Sequence, residues 1–404
     1  MSLPPRVAQL LRASVARPGV TPCADEVLAS THPEDLEGLA HAAALHGIAG
    51  YVHDAVRDHA TVPEQERAQL KRLRDHAVLV HLRALADLRY LEQTLGESGI
   101  SWVAMKGPTL AEPVHGRPEL RTYGDLDVLV APRQLGAAVR SLETANARML
   151  DQNWTLIREE RKGEVHFRLP SGTVLDLHWH FLNSAEHRAE FRIDTATVLS
   201  RAQRVSIGGR ETPTLGAADT IVYVALHALL SGADRLIWLK DVERLLAAEQ
   251  VPLEAISATA SHWGVVLPFA AMLGRTDATL GLPPSVYDLR LPADGRAWRA
   301  FTRRVWRSTR PEVEDGTGSL GRLIARSTRQ STGASLRELA RRSALHATHR
   351  LRGETTGPGR DRYDPNEPSS AAFPAGGLPE RDAYLAEVEA EAEAATTPQG
   401  GHTG

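Results

Sequence analysis

The chain has 404 residues, of which 42% are hydrophobic and 24% are charged, and its formal net charge is −3. This composition is typical of a globular protein and gives no general attraction to nucleic acid or to an anionic membrane surface. Cys23 is the single cysteine, which excludes an intramolecular disulfide and a cysteine-based zinc site, and no apolar run approaches the ~18 residues of a membrane span; we therefore expect a cytoplasmic protein.

The first 96 residues are predicted to be helical. Apolar residues recur at spacings of three and four from Leu70 to Leu95, which is typical of an amphipathic helix with one buried face. Gly96 and Gly99 follow this series and indicate where the helix ends. The chain length favours two or three domains, and residues 1–96 are the first of the regions we predict, an N-terminal helical region.

Residues 97–215 are predicted to form a small core of strands and helices. A short apolar strand over residues 100–105 leads directly into Lys106-Gly107-Pro108, and a second strand ends at Val130. A helix is predicted over residues 132–142. Two further strands, over residues 165–169 and 173–180, flank a Pro-Ser-Gly turn, which is a hairpin signal. The predicted class is therefore α+β.

The remainder of the chain is predicted to be helical and then disordered. Helical periodicity continues over residues 216–352, which we take as a C-terminal helical region. Residues 353–404 are rich in Pro, Gly, Ser and acidic residues. Such a composition cannot bury enough apolar surface to fold, so we predict a disordered tail with one short helix over residues 381–394.

Two aspartates interrupt the apolar strand over residues 121–130. Because side chains alternate along a strand, Leu126, Val128 and Val130 share one face. Asp125 and Asp127 lie on the other face. Two like charges on a half-buried face each cost several kcal/mol to desolvate unless a cation compensates them. The sequence therefore predicts a cation beside these carboxylates.

A later strand carries a third carboxylate. In the segment VLDLHWHF, alternation places Asp176, His178 and His180 opposite Leu175 and its apolar neighbours. Carboxylates that converge from two strands suit a hard divalent cation that also binds substrate phosphates. We therefore predict one or two Mg²⁺ or Mn²⁺ ions carrying a nucleoside triphosphate.

The turn at Lys106-Gly107 is the predicted place for the triphosphate. A lysine supplies a cation, and a glycine lets a phosphate approach the backbone closely. Arg121, just ahead of the aspartates, is a second candidate for contacting phosphate charge.

The order of these motifs resembles that of the uncharacterised nucleotidyltransferase family of the polymerase-β-like superfamily. The motifs are a strand followed by Lys-Gly, then R-x-x-x-D-L-D-V-L-V, then L-D-L-H-W. The resemblance extends to LAHAAALHGIAGYV upstream and to ALHALL and WLKDVERLL downstream, over roughly residues 30–250. It implies a polymerase-β-like core and a catalytic, metal-binding set of Asp125, Asp127 and Asp176. This sequence has no serine at the turn, and the spacing from the turn to the aspartate pair is long.

Each candidate also has a structural interpretation. Asp125 and Asp127 could lie on a solvated strand edge, and Asp176 could accept a hydrogen bond from a backbone amide. Lys106 or Arg121 could simply form a salt bridge with an aspartate. His227, on a C-terminal helix, could line the cleft or lie on an ordinary helix face.

The segment Asp-x-His-x-His could also suggest a zinc-hydrolase site. Such a site is disfavoured, because three ligands at a spacing of two on one strand converge poorly. His178 is then expected to form part of the site wall or to be a structural histidine. Asp241, on a C-terminal helix, has the same two interpretations as the cleft-lining histidine.

Two functions are consistent with these observations. The favoured one is an enzyme that moves a nucleoside monophosphate from an NTP, expected to be ATP, to a hydroxyl or phosphate of a small molecule, peptide or protein. The resemblance implies a role in natural-product tailoring. The alternative is a non-catalytic nucleotide- or partner-binding module on the same fold. No nucleic-acid or membrane partner is expected, and the oligomeric state stays open.

Overall fold

The computed structural model describes residues 3–248, 250–293, 295–311, 319–351 and 378–394. Within these residues, helices surround one mixed seven-stranded sheet. This arrangement confirms the predicted α+β class.

The N-terminal part is helical, as predicted. Its helices are α1 (Pro5–Val15), α2 (Ala24–Leu28), α3 (Leu39–Leu45), α4 (Ala49–Val56) and α5 (Glu64–Leu91). The predicted apolar series lies on α5, whose buried side chains include Leu70, Ala77, Ala84, Leu88 and Leu91. A π-helical turn over Glu92–Gly96 ends this long helix, and Gly99 follows with φ of +70°, which favours glycine.

The middle of the chain supplies the sheet. Its strands are β1 (Trp102–Ala104), β2 (Asp125–Val130), β3 (Arg148–Met149), β4 (Glu164–Arg168), β5 (Val174–His178), β6 (Gln203–Ile207) and β7 (Arg210–Thr214). The helices between them are α6 (Pro108–Ala111), α7 (Leu135–Thr144), α8 (Trp154–Glu159), α9 (Ala185–Glu190) and α10 (Thr195–Ser200).

The strand order is β3-β4-β5-β2-β1-β7-β6. The central strand β2 runs antiparallel to β1 and parallel to β5. Strands β4 and β5 pair antiparallel and form the predicted hairpin. The parallel pairing of β2 with β5 brings the two acidic segments side by side.

The two faces of the sheet belong to different hydrophobic cores. Leu126, Val128 and Val130 of β2 pack with α7, α8 and the second half of α5. Leu129, which points the other way, packs with the N- and C-terminal helices. The alternation predicted from the sequence is thus observed, and burial of apolar surface on both faces fixes its register.

The C-terminal part is again helical. Its helices are α11 (Ala217–Ser231), α12 (Leu236–Ala247), α13 (Leu253–His262), α14 (Val266–Leu280), α15 (Arg296–Ser308), α16 (Leu320–Ser327) and α17 (Thr332–Leu351). Residues of α1, α3 and α4 share one core with residues of α11, α12 and α14. An ion pair of 2.9 Å between Arg17 and Glu243 joins the same two parts of the chain.

One further helix, α18 (Leu378–Ala394), lies in the segment predicted to be a tail. Tyr384, Leu385 and Val388 are buried against α7 and α8, in the same hydrophobic core as one face of the sheet. The segment therefore differs from the expectation of a tail without a packed core, because an aromatic and two aliphatic side chains line one face of this otherwise acidic helix. The rest of the predicted tail, residues 353–377 and 395–404, lies outside the described residues.

Within the described residues, the helices are all too short or too polar to cross a bilayer.

Candidate active site

The site begins at the parallel pairing of β2 with β5. The register places Asp127 opposite Asp176 and Leu129 opposite His178. Asp125, Asp127, Asp176 and His178 therefore project from the same face of the sheet. Asp127 is buried, Asp176 is partly buried and Asp125 is exposed. The structure thus brings together the three predicted aspartates.

The cation that compensates Asp127 in this structure is Lys106. Its Nζ lies 2.8 Å from Oδ1 of Asp127, and both side chains are largely buried. The predicted alternative of a salt bridge to an aspartate is therefore what the structure contains. Burial opposes the charge of both groups, but their attraction raises the pKa of Lys106 and, with His178, holds the pKa of Asp127 well below its usual range.

Gly107 forms the turn between β1 and α6. Its φ of +65° and ψ of −116° belong to a region that other residues rarely adopt. A Cβ at this position would lie 3.3 Å from Tyr123 Cδ2 and 3.4 Å from the carbonyl oxygen of Asp125. The glycine therefore lets the turn pass directly over the start of β2, so that Lys106 faces the aspartates.

His178 completes a possible metal site. One ligand atom from each of Asp127, Asp176 and His178 can be chosen so that all lie within 4.8 Å of one another. The ring nitrogens of His178 are 3.3 Å from Asp127 Oδ1 and 3.2 Å from Glu164 Oε2. Neither nitrogen forms a well-aligned hydrogen bond with a residue that the structure describes. The imidazole is therefore held between the two carboxylates by charge, and both carboxylates raise its pKa against the effect of burial.

The pKa of Asp176 is shifted upwards. Burial raises it to about 7, and the nearby carboxylates of Asp127 and Glu164 act in the same direction, whereas His166 opposes them. The pKa of Asp125 is also raised, because nearby protein atoms displace part of its hydration even though the side chain reaches solvent, and because the Asp127 charge repels it. A carboxylate whose pKa lies near neutrality is suited to accept and release a proton.

Sequence reasoning missed the residues on β4. Glu164 pairs in register with His178, and His166 with Asp176. Asp151 hydrogen-bonds both the backbone amide and the ring of His166, at 2.7 and 3.1 Å. Burial would lower the pKa of His166, but the hydrogen bonds to Asp151 and Glu164 raise it to about 10. The alternation of Glu164 and His166 with Val165 and Phe167 was the signal that identifies this polar face.

The C-terminal helix α11 covers the site. His227 Nε2 lies 3.4 Å from Lys106 Nζ, and the Lys106 ammonium lies 5.8 Å from the centre of the Tyr223 ring. Burial and the neighbouring Lys106 lower the pKa of His227 to about 3, so this histidine is neutral. Of the two predicted cleft-lining residues on C-terminal helices, His227 therefore lies beside the site.

The other predicted residue, Asp241, lies behind Arg121. Two nitrogens of the Arg121 guanidinium bind the Asp241 carboxylate at 2.8 and 2.9 Å. His115 also contacts Asp241 at 2.8 Å and contacts Tyr51 at 2.7 Å. Arg121 is thus paired with Asp241 on α12 rather than with Asp125, and its contact with a nucleotide stays a prediction. The buried, bidentate geometry fixes the direction of the guanidinium.

A lysine-glycine turn beside a parallel strand pair that carries convergent carboxylates is the arrangement expected of a nucleotidyltransferase. The chain belongs to the uncharacterised nucleotidyltransferase family, whose family model matches residues 32–281. The matched part includes β1 to β7 and helices α11 and α12, and hence every site residue described above.

Among solved structures, the chain is similar to an antigenic nucleotidyltransferase-like protein from Paracoccidioides brasiliensis. The two chains share 15% identity over 45% of this chain and 88% of that chain, with a TM-score of 0.29. No curated protein matches this chain.

Proposed function

We propose that this protein transfers a nucleoside monophosphate from an NTP to a hydroxyl or phosphate group of an acceptor, with the help of Mg²⁺ or Mn²⁺. The observation that carries the proposal is the convergence of Asp127, Asp176 and His178 within 4.8 Å, with Lys106 on Asp127 at 2.8 Å. Membership in a nucleotidyltransferase family supports the class of reaction.

The residues present fit a hard divalent cation. Asp127 and Asp176 offer oxygen ligands from adjacent strands, and Asp125 offers a third carboxylate from the same face. Mg²⁺ prefers oxygen over imidazole nitrogen, so we assign the three carboxylates to the cation and His178 to orienting Asp127. When bound, the ion would stabilise negative charge on the entering and leaving oxygens.

The protein's own residues supply the remaining requirements. Gly107 removes the side chain that would block a phosphate at the turn, and Lys106 holds positive charge beside it. Arg121, held by Asp241, is the second proposed nucleotide-binding cation. Asp176, on the strand beside Asp127, would take the proton from the acceptor hydroxyl.

The acceptor would enter between the sheet and α11, where Tyr223 and His227 lie beside Lys106. The N- and C-terminal helices pack on this face of the sheet, which favours a small molecule or an extended peptide over a bulky acceptor. A role in natural-product tailoring and the choice of ATP are supported by the motif resemblance alone.

The direct test measures pyrophosphate release and label transfer with each of the four NTPs, Mg²⁺ or Mn²⁺ and a panel of hydroxyl and phosphate acceptors. Asp176→Asn should keep NTP affinity within about tenfold but reduce transfer by on the order of 10²-fold or more. Asp288→Asn, at an exposed position on another part of the chain, is the matched control and should behave as the parent.

A second measurement separates an enzyme from a binding module. Mg²⁺ with a non-hydrolysable NTP should raise the melting temperature of the parent, and the double change Asp125→Asn and Asp127→Asn should abolish that increase. Stabilisation by NTP without pyrophosphate release under any condition would favour the binding module. Parental transfer rates in Asp176→Asn would contradict the assigned mechanism.

A further inference from the structure

A polar cavity that is partly open to solvent lies in the C-terminal helical part, on different elements from the candidate active site. Its volume is about 380 Å³, and it is lined by α1, the end of α14 and the end of α15. Its charged and aromatic lining consists of Arg12, Arg303, Arg307, Arg310, Asp277 and Trp306. Because like charges repel, a bound anion would lower the mutual repulsion of these four arginines.

Three of these arginines have few partners. Arg303 and Arg307 are four residues apart on α15, so they project from the same side of the helix, and Arg310 follows just after its end. Arg303 donates to the carbonyl of Arg299 at 3.3 Å. Arg307 and Arg310 form no hydrogen bond or ion pair with any residue in the described part of the chain. Their guanidinium donors are therefore available to a ligand.

The other walls of the cavity are fixed. Arg12 donates to the carbonyl oxygens of Thr279 and Ala278, at 2.7 and 3.4 Å, at the end of α14. Trp306 is buried, donates to the carbonyl of Ala271 at 3.0 Å and stacks with Arg275 at 4.8 Å. The cavity is thus built on packed side chains, which lowers the entropy cost of binding.

The charge around the cavity is strongly positive. Four arginines and one aspartate leave a formal charge of +3 on the lining, and Asp277 already accepts a hydrogen bond of 2.7 Å from Tyr287. The surrounding sequence shows the same bias: residues 296–352 contain fourteen arginines and four acidic residues, although the whole chain carries −3.

We propose that this cavity, which we call the arginine pocket, binds an oligophosphate: a small molecule that carries a di- or triphosphate group. Guanidinium groups bind phosphate oxygens in pairs, and the volume of about 380 Å³ falls within the range of small-molecule sites. The small extent of the pocket favours a compact anion over a polynucleotide, which needs an extended groove along its backbone.

The test is calorimetric titration of inorganic pyrophosphate and tripolyphosphate into the full chain, in EDTA so that metal-dependent binding at the candidate active site does not contribute. The double change Arg303→Gln and Arg307→Gln should weaken binding by on the order of tenfold or more. The matched control is Arg296→Gln with Arg304→Gln. It removes two exposed charges from the same helix outside the pocket and should leave affinity within about twofold.

Further variants keep the two sites distinguishable. Lys106→Met changes the candidate active site and should still bind pyrophosphate in EDTA. This result is expected whether or not the protein has the proposed transferase activity. Loss of binding in Lys106→Met alone, or equal loss in both double variants, would overturn the proposal. So would absence of binding by the parent, or binding of single-stranded RNA with no binding of pyrophosphate.

The acidic residues Glu312, Glu314 and Asp315 follow the pocket in sequence and lie outside the described part of the chain. Pyrophosphate binding that arises only after all three are changed to their amides would also overturn the proposal, because the native pocket would then be closed to external anions. Pyrophosphate binding by the parent would support the proposal, even where the variant binds pyrophosphate more tightly.

Discussion

At Lys106, a buried cation and a buried carboxylate compensate each other. Removing one partner of such a pair leaves an unpaired charge, which costs about 3 kcal/mol or more. We expect Lys106→Met to lower the free energy of unfolding by that amount in EDTA, and millimolar Mg²⁺ to restore more stability to this variant than to the parent. Urea unfolding with and without Mg²⁺ measures both effects.

Lys71 is the control for this change. It also pairs with an aspartate, Asp75, at 2.6 Å, but both side chains are exposed. Exposed pairs contribute little because water screens them, so Lys71→Met should cost less than about 0.5 kcal/mol. If both variants lost the same free energy of unfolding, burial would not be the reason that removing Lys106 destabilises the fold.

Gly107 is a second position where one residue decides the geometry. Its φ of +65° and ψ of −116° strain any other residue, and a Cβ would meet Tyr123 and Asp125. Gly107→Ala should destabilise the fold by about 1–3 kcal/mol and weaken NTP binding. Gly124, whose added Cβ would meet nothing within 4 Å, provides the comparison: Gly124→Ala should change stability by less than about 0.5 kcal/mol.

At the scale of elements, helix α18 contributes to stability although it lies in a segment that the sequence predicts to be a disordered tail. The Tyr384 hydroxyl accepts a hydrogen bond of 2.7 Å from Trp179 and donates one of 2.5 Å to the carbonyl of Lys162. Tyr384→Ala should therefore cost about 3 kcal/mol, and Tyr384→Phe about 1 kcal/mol. Chemical denaturation of the full chain checks both values.

Truncation tests the same helix as a unit. Deleting residues 378–404 should lower the melting temperature, because it uncovers apolar side chains of α7 and α8. Deleting only residues 395–404, which the sequence predicts to be disordered, should leave it unchanged. Equal melting temperatures for the two deletions would show that α18 adds nothing to the fold.

At the scale of the whole molecule, buried neutral histidines link stability to pH. Burial lowers the pKa of His180 to about 3, of His227 to about 3, and of His46 and His187 to about 4. In the unfolded chain each would titrate near ~6.5. Below that pH the unfolded state binds protons that the folded state does not, so stability falls as the pH drops.

Each such histidine should contribute about 1.4 kcal/mol per pH unit between ~pH 5.5 and the folded pKa. His166 acts in the opposite range, since its raised pKa stabilises the fold fully below ~6.5 and the effect is lost as the pH rises towards 10. His180→Gln should reduce the slope of unfolding free energy against pH by about one proton. His262→Gln, at an exposed site, should leave the slope as in the parent.

The candidate site could be predicted in part because its signals are local. Alternation along β2 and β5 places Asp125, Asp127, Asp176 and His178 on polar faces without knowledge of the fold. Gly107 and Lys106 are marked by their position after a short apolar strand. Glu164 and His166 were missed although they alternate with apolar residues on a predicted strand. Asp151 carries no periodic signal, because it lies outside the strands and meets His166 only in the folded chain.

The sequence by itself determined the α+β class, the long helix α5, the hairpin of β4 and β5 and the polar faces of the strands, since each depends on residue periods of 2 or 3.6 along the chain. Tertiary structure alone decided that Lys106 compensates Asp127, that Arg121 pairs with Asp241 on α12, and that α18 packs against α7 and α8 and contacts Trp179. These contacts join residues 21, 120 and more than 200 positions apart, and no local pattern specifies which distant partner a buried charge or an apolar helix face will meet.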